Sequence, residues 1–231
     1  MSAIVIADVV KRYGTTTALA GVSLTIDRGE AIGIIGPNGA GKTTLMAALL
    51  GLIDPSSGSI EIGGRSPHSL ETKRLLGYVP ERIGFSRWMS GRALVDLHAR
   101  LCGVRDRMAV EAMLDRVGLE RAAWDRPLKK YSRGMLQRTA LAQALIGNPR
   151  FLFLDEPTSG IDPAGAIRFR EIVAALKADG VTIVLNSHQL DQMERVCDRV
   201  AFLAKGRITA VEDVGNERLE DLFLKLDGVV A

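Results

Sequence analysis

Gly36-Pro37-Asn38-Gly39-Ala40-Gly41-Lys42-Thr43-Thr44 reads as a glycine, four residues, then Gly-Lys and a hydroxyl residue, the spacing of a loop that folds around phosphate. Its glycines admit backbone angles closed to other residues, so several N–H groups can turn toward one anion. Upstream, residues 31–35 form a short, fully apolar run, the pattern of a central strand buried on both faces. Downstream, a helix is expected over about 42–50, and its free N–H groups and dipole add to the attraction. A glycine-rich turn with a solvent lysine is the plain alternative, but the motif sits where it must, between a buried strand and a helix. Lys42 is placed to reach the β- and γ-phosphates of a nucleoside triphosphate, and the Thr43 hydroxyl to hold Mg²⁺.

Around this unit the sequence alternates between strand and helix patterns. Residues 4–6 and 22–26 read as strands separated from the buried run by the turn Arg28-Gly29-Glu30, and 59–62 and 76–79 as two more. From Ser90 to Gly118 apolar residues recur at helical spacing: Leu94, Leu97 and Leu101, then Val110, Met113, Leu114 and Val117. Ser90 suits an N-cap there, and Gly103 and Gly118 suit stops. After Met135 a helix is expected to about 146, a buried strand at 151–154, a helix after Pro163 to about 178, and a strand at 181–185. Such alternation implies a mostly parallel sheet covered by helices.

Phe151-Leu152-Phe153-Leu154-Asp155-Glu156 is an apolar strand that ends in two carboxylates. Ligands of open α/β sheets gather at the carboxyl ends of strands. Asp155 is therefore placed to organise Mg²⁺ through water, and Glu156 to polarise an attacking water.

Composition sets outer bounds. The chain has 231 residues, 47% hydrophobic and 25% charged, with a formal net charge of +3. These values suit an ordinary globular protein and call for no dedicated nucleic-acid surface. Cys102 and Cys197 are far apart, so neither a disulfide framework nor a metal cluster is expected, and a reducing cytosol is the natural setting. The opening residues lack the pattern of an export signal, and the longest apolar stretch, 45–53, is far too short to span a bilayer. Any membrane role is expected to come through a partner.

With these motifs in place, the sequence resembles the nucleotide-binding domain of ABC transporters over essentially its whole length. The decisive piece is Tyr131-Ser132-Arg133-Gly134-Met135, which stands where that family has its signature, usually Leu-Ser-Gly-Gly-Gln. The signature contacts ATP held by the opposite subunit, so the resemblance implies a head-to-tail dimer around two Mg-ATP, with Ser132 and Gly134 binding the γ-phosphate in trans. Tyr131, Arg133 and Met135 depart from the usual residues, and the Tyr-Ser-Arg/Lys-Gly-Met version resembles the ABC-2-type exporter branch. Arg133 is expected to be exposed.

Other positions follow in order. Tyr13 resembles the aromatic residue that stacks on adenine, although a lone tyrosine after a strand also serves as edge packing. Ser159-Gly160-Ile161-Asp162 resembles the D-loop, which runs along the dimer interface. His188 resembles the switch histidine, implied to bond the γ-phosphate and hold Glu156 and the water in register. Glu81 stands where the family usually has the glutamine that contacts Mg²⁺ and water; glutamate also offers the hard oxygen that Mg²⁺ prefers. Residues 219–226 resemble the amphipathic helix that closes ABC-2-type ATPases.

The fold class expected is α/β: a P-loop NTPase core with a mostly parallel sheet, an N-terminal antiparallel β subdomain and a helical insert, the ABC ATPase fold. One domain is expected over 1–231, with the helical subdomain at about 84–146 and the closing helix at 217–226. Expected partners are a second copy or homologous ATPase and a separately encoded integral membrane permease, with no direct nucleic acid. The permease would hold the chain to the cytoplasmic face of the membrane. Phe85, Trp88 and Met89 are candidates for the docking surface or, equally, for the core. Two other classes compete: a soluble ABC ATPase acting on ribosomes or DNA, which generally carries tandem cassettes or coiled-coil inserts, and a small-molecule P-loop kinase, which would lack the signature, D-loop and switch histidine.

Overall fold

The computed structural model describes residues 2–158, 160–215 and 218–222. In chain order the elements are β1 (Ser2–Tyr13), β2 (Thr16–Asp27), β3 (Ala31–Ile35), α1 (Lys42–Leu49), β4 (Ser57–Ile62) and α2 (Leu70–Lys73). Then follow β5 (Leu76–Val79), α3 (Gly91–Leu101), α4 (Arg107–Arg116), α5 (Arg133–Leu145), β6 (Phe151–Asp155) and α6 (Pro163–Ala178). The last are β7 (Thr182–Asn186), α7 (Leu190–Val196), β8 (Arg199–Ala204) and β9 (Arg207–Asp213). They fall into two compact units, Met1–Lys73 with Gly180–Ala231, and Arg74–Asp179.

The first unit holds two sheet systems. Strand β1 lies between β2 and β4, antiparallel to both. Strands β1 and β2 are much longer than the short runs at 4–6 and 22–26. Register shifts at Ile6/Val9 on one side and Ala7/Val10 on the other, with Asp8 at φ 49, break the alternation that would have marked their length. In the second system β3 runs parallel between β7 and β8, and β9 pairs antiparallel on the far side of β8. All five residues of β3 are buried, which is why it carries no alternation. Its start is pinned: the Asp198 carboxylate accepts from Ala31 N at 2.9 Å, Thr182 Oγ1 accepts from Gly29 N at 3.0 Å, and Arg199 pairs with Glu30 at 3.0 Å.

The second unit holds the parallel pair β5–β6 with helices α3 to α6. Each of these helices begins on a capping side chain: Ser90 accepts from Ala93 N, Asp106 from Met108 N, Ser132 from Met135 N and Asp162 from Gly165 N. Such caps satisfy first-turn donors that have no intrahelical partner. Gly103 and Gly118, at φ 82 and 72, follow α3 and α4. Leu94, Val110, Leu114 and Val117 are buried as their spacing suggests, but Leu97 and Leu101 are 44% and 74% exposed. Periodicity locates an apolar stripe; it does not say whether the same chain covers all of it. Trp124 and Tyr131 lie in this core, and each buried polar tip finds a carbonyl. Trp124 Nε1 donates to Leu119 O at 2.8 Å, and the Tyr131 hydroxyl donates to Ala123 O at 2.7 Å. Gly91 makes room for that hydroxyl, since a Cβ there would collide with it.

The helical segment expected at 84–146 lies within this second unit, which also contains β5, β6 and α6. Of the closing helix, residues 219–222 are helical with Leu219 buried, and 217 and 223–226 lie outside the described residues. No helix among the described residues is long and apolar enough to cross a membrane.

Tyr131→Phe deletes a buried donor while the Ala123 carbonyl keeps the Arg126 N–H at 2.9 Å, a loss of about 0.5–1.5 kcal/mol. Urea denaturation should show that drop in stability with an unchanged slope.

Candidate nucleotide site

In the first unit, the chain leaves buried β3 at Ile35 and turns through 36–41 into α1. Two backbone carbonyls shape the loop. The oxygen of Leu203, from β8, is packed so close to Gly36 that no Cβ fits, and Ala18 O, from β2, would lie 2.6 Å from a Cβ on Gly41. Ala40 is buried and accepts from Gly206 N at 2.9 Å. Thus the strands on either side hold the loop, while Pro37, Asn38, Gly39 and Thr43 are exposed and Thr44 half-buried.

Gly41 is the N-cap of α1 at φ 109, with no side-chain cap, and no acidic residue lies in the first turn. The positive end of the helix is therefore not offset by a local carboxylate. Lys42 arches back over the loop, its ammonium donating to Gly36 O at 2.6 Å and Pro37 O at 3.0 Å. Positive charge and backbone donors thus converge on one exposed turn, an arrangement suited to a phosphate chain.

Two more expected residues belong to this unit. Strand β7 runs beside β3 with Ile34 opposite Asn186, so His188 leaves its strand at the same end as Gly36. Ser187 is buried and its Oγ accepts from Gln189 N at 3.1 Å, turning the chain while His188 is exposed. Tyr13 ends β1 opposite Thr16. It is 50% exposed, with Lys11 Nζ 5.1 Å from its ring centroid.

In the second unit, Asp155 ends β6 and is 7% exposed, and Glu156 follows at φ 49. A left-handed glutamate costs of order 1–3 kcal/mol and is found chiefly where function requires the bend. Strand β5 pairs with β6 up to Val79↔Leu154, so Glu81 lies at the same strand ends as Asp155. Tyr78 reports the acidity of the place: burial raises its phenol above the ordinary range, and the charges of Asp155 and then Glu81 raise it further. Glu81 is exposed.

The same unit carries Ser132 and Gly134 at the start of α5. Ser132 Oγ accepts from Met135 N at 3.2 Å, which leaves its own hydroxyl proton to donate elsewhere. Gly134 occupies the second helical position, whose N–H has no carbonyl one turn back. Both border a cleft of about 430 Å³ that also takes in Arg126, Arg133, Gly160 and Asp162. Arg133 is exposed. Ser159 lies outside the described residues. Arg126 escaped the sequence reading because no local pattern ties it to a helix start six residues later.

A metal need not find a protein cage here: no group of three or more His, Cys, Asp or Glu fit to hold an ion occurs among the described residues. Mg²⁺ generally takes one or two protein oxygens and completes its shell with phosphate and water. The exposed Thr43 hydroxyl of the first unit and the buried Asp155 carboxylate of the second are each an oxygen donor of a kind that Mg²⁺ takes.

A family model described as ABC transporter matches residues 19–159, more than half of the chain. The chain belongs to the ABC transporter family. An uncharacterised ABC transporter ATP-binding protein of Nostoc sp. is 44% identical over 195 residues, covering 83% of this chain and 58% of that protein. The lantibiotic transport ATP-binding protein SrtF of Streptococcus pyogenes is 38% identical over 92% of both chains. The bacitracin transport ATP-binding protein BcrA of Bacillus licheniformis is 35% identical over 87% of this chain and 66% of its own. The chain spans 58% and 60% of the first two curated relatives' lengths.

Among solved structures, the ATP-binding subunit of an ABC transporter superposes with a TM-score of 0.89 at 27% identity, covering 98% of this chain and all of that one. A dimeric ATP-binding cassette bound to ADP and Pi superposes with a TM-score of 0.82 at 24% identity, covering 93% and 100%; it shows the shared fold. The chain thus carries an ABC ATPase domain, and its α/β class with antiparallel N-terminal strands and helical insert is that of the family. The matched stretch contains the phosphate loop, Tyr131–Met135 and Asp155–Glu156, while Tyr13 and His188 lie outside it.

Gly36→Ala forces a methyl group against the Leu203 carbonyl, which is backbone and cannot swing away. Overpacking of this kind costs about 1–3 kcal/mol. Thermal denaturation should show that loss, and nucleotide affinity should fall with it as the loop shifts.

Proposed function

We propose that this chain binds and hydrolyses Mg-ATP, pairing head to tail with a second copy or a homologous ATPase to drive a separately encoded membrane permease, as an exporter. The observation that carries the reading is the uncapped start of α1, held open between the Leu203 and Ala18 carbonyls with Lys42 arched over it. The relatives named for lantibiotic and bacitracin transport support the transport class. The permease would keep the chain at the cytoplasmic face of the membrane. Trp88, at 76% exposure under Lys129 Nζ, lies before α3, whose Leu97 and Leu101 are exposed. These residues supply apolar area for such a partner, whereas Phe85 and Met89 are half-buried. Apolar exposure of this kind favours a permease over a ribosome or DNA.

Hydrolysis of a phosphoanhydride needs positioning and charge stabilisation rather than covalent catalysis. Loop residues 36–44 grip the phosphates through backbone N–H groups, Lys42 exchanges loop carbonyls for phosphate oxygens, and Tyr13 stacks on adenine. Thr43, Asp155 through water, and Glu81 would hold Mg²⁺, which when bound would offset charge on the phosphates. Glu156 accepts a proton from the attacking water, and His188 bonds the γ-phosphate. Ser132 and Gly134 donate to the γ-phosphate held by the partner subunit, so hydrolysis waits on dimer closure.

Glu156→Gln is expected to bind ATP and dimerise while hydrolysing about 10²–10⁴-fold more slowly, read as phosphate release from the full chain. A wild-type rate would remove Glu156 from its role. Ser132→Arg should keep ATP binding by the monomer and lose the ATP-stabilised dimer in light scattering; a normal dimer would count against the trans site. Co-purification with an integral membrane protein tests the transport class.

A further inference from the structure

Arg133 stands where the family signature usually has glycine, and its side chain does not simply extend into water. A Cβ on Gly160 would stand 2.5 Å from Arg133 Cδ, 2.8 Å from Nε and 3.1 Å from Cζ. The outer part of the arginine side chain, from Cδ to Cζ, therefore lies directly on the Gly160 backbone, which is free of a side chain and sits at φ 74. One residue further, Ile161 Cγ2 comes within 3.7 Å of the Cβ position of Gly134. On the other side of this turn, Arg138 reaches from the same helix to Asp162 Oδ1 at 3.5 Å and to Gly118 O at 3.0 Å. Asp162 is itself fixed as the cap of α6 through Gly165 N at 3.0 Å.

Helix α5 thus grips the segment 160–162 at both ends, through Arg138 at Asp162 and Arg133 at Gly160. A glycine at 133 would supply only the first grip. We propose that Arg133 is a positioning residue that fastens the D-loop to the signature helix, so that Ser132, Gly134 and 160–162 meet the partner subunit as one surface. The inference rests on the trans site proposed above. Its chemistry is packing of the Cδ–Nε–Cζ end of the arginine on a peptide plane at the edge of the cleft. The D-loop and signature then close together rather than in sequence, and fewer backbone freedoms remain to be lost on dimer closure.

The test uses the purified full chain. In Arg133→Ala, amide hydrogen exchange across 160–162 should quicken about fivefold or more as local opening becomes easier. The hydrolysis kcat should fall about tenfold, with KM for ATP held within about twofold, because misplacement harms the reacting geometry more than nucleotide capture. Arg133→Lys, which keeps the stem, should restore both readings to within about threefold of wild type. Unchanged exchange and kcat in Arg133→Ala, or no recovery in Arg133→Lys, overturns the clasp while leaving Ser132 in place. Normal ATP-dependent dimerisation of Ser132→Arg overturns the trans site, and the clasp's part in hydrolysis with it.

Discussion

One steric constraint underlies the phosphate loop: the Leu203 carbonyl occupies the space a side chain at position 36 would need. Because β8 runs parallel to β3, with Ile35 opposite Phe202, that carbonyl is delivered by the sheet itself. The pinning bonds at Ala31, Gly29 and Glu30 fix how far β3 advances and hence where Gly36 comes to rest. From that point the loop has one way to go, over buried Ala40 and into α1 at Gly41. Backbone donors collected in this manner need no reorganisation when an anion arrives, which is the main source of their strength.

The second unit works by a different device. Four helices there start on capping side chains, but only the cap of α5 has a glycine at the second position and a cleft before it. Ser132 both starts the helix and keeps a proton to donate. The departures from the usual family signature fit this neighbourhood. Tyr131 fills the room left by Gly91 and ties down the Ala123 carbonyl, and Arg133 lies on Gly160. These two substituted residues are each matched by a glycine elsewhere that accommodates them.

Much of this was legible in the sequence where chemistry is local. The loop, the cap at Ser90, the extent of α6 and the β5 strand all follow from short-range patterns, and the structure places them as expected, whereas the cap at Ser132 starts α5 earlier than the stretch after Met135 suggested. Strands β1 and β2 were underestimated because a bulge at Asp8 hides their alternation. The exposure of Leu97 and Leu101 was hidden for another reason: spacing along a helix cannot report what lies across from it. The left-handed Glu156, the place of Arg126 in the cleft and the Arg133–Gly160 contact depend on residues distant in sequence or on tertiary packing. Their residue types were visible; their partners were not.

Lys42 spends its ammonium on the carbonyls of Gly36 and Pro37, so the loop contains its own competitor for the charge it offers. Capturing a phosphate is a swap of acceptors rather than the filling of an electrostatic void. The net gain from the lysine is the difference between two sets of charge-assisted hydrogen bonds, smaller than either set alone. On the proposed function, a site balanced in this way would release a phosphate product more easily than an unoccupied lysine would.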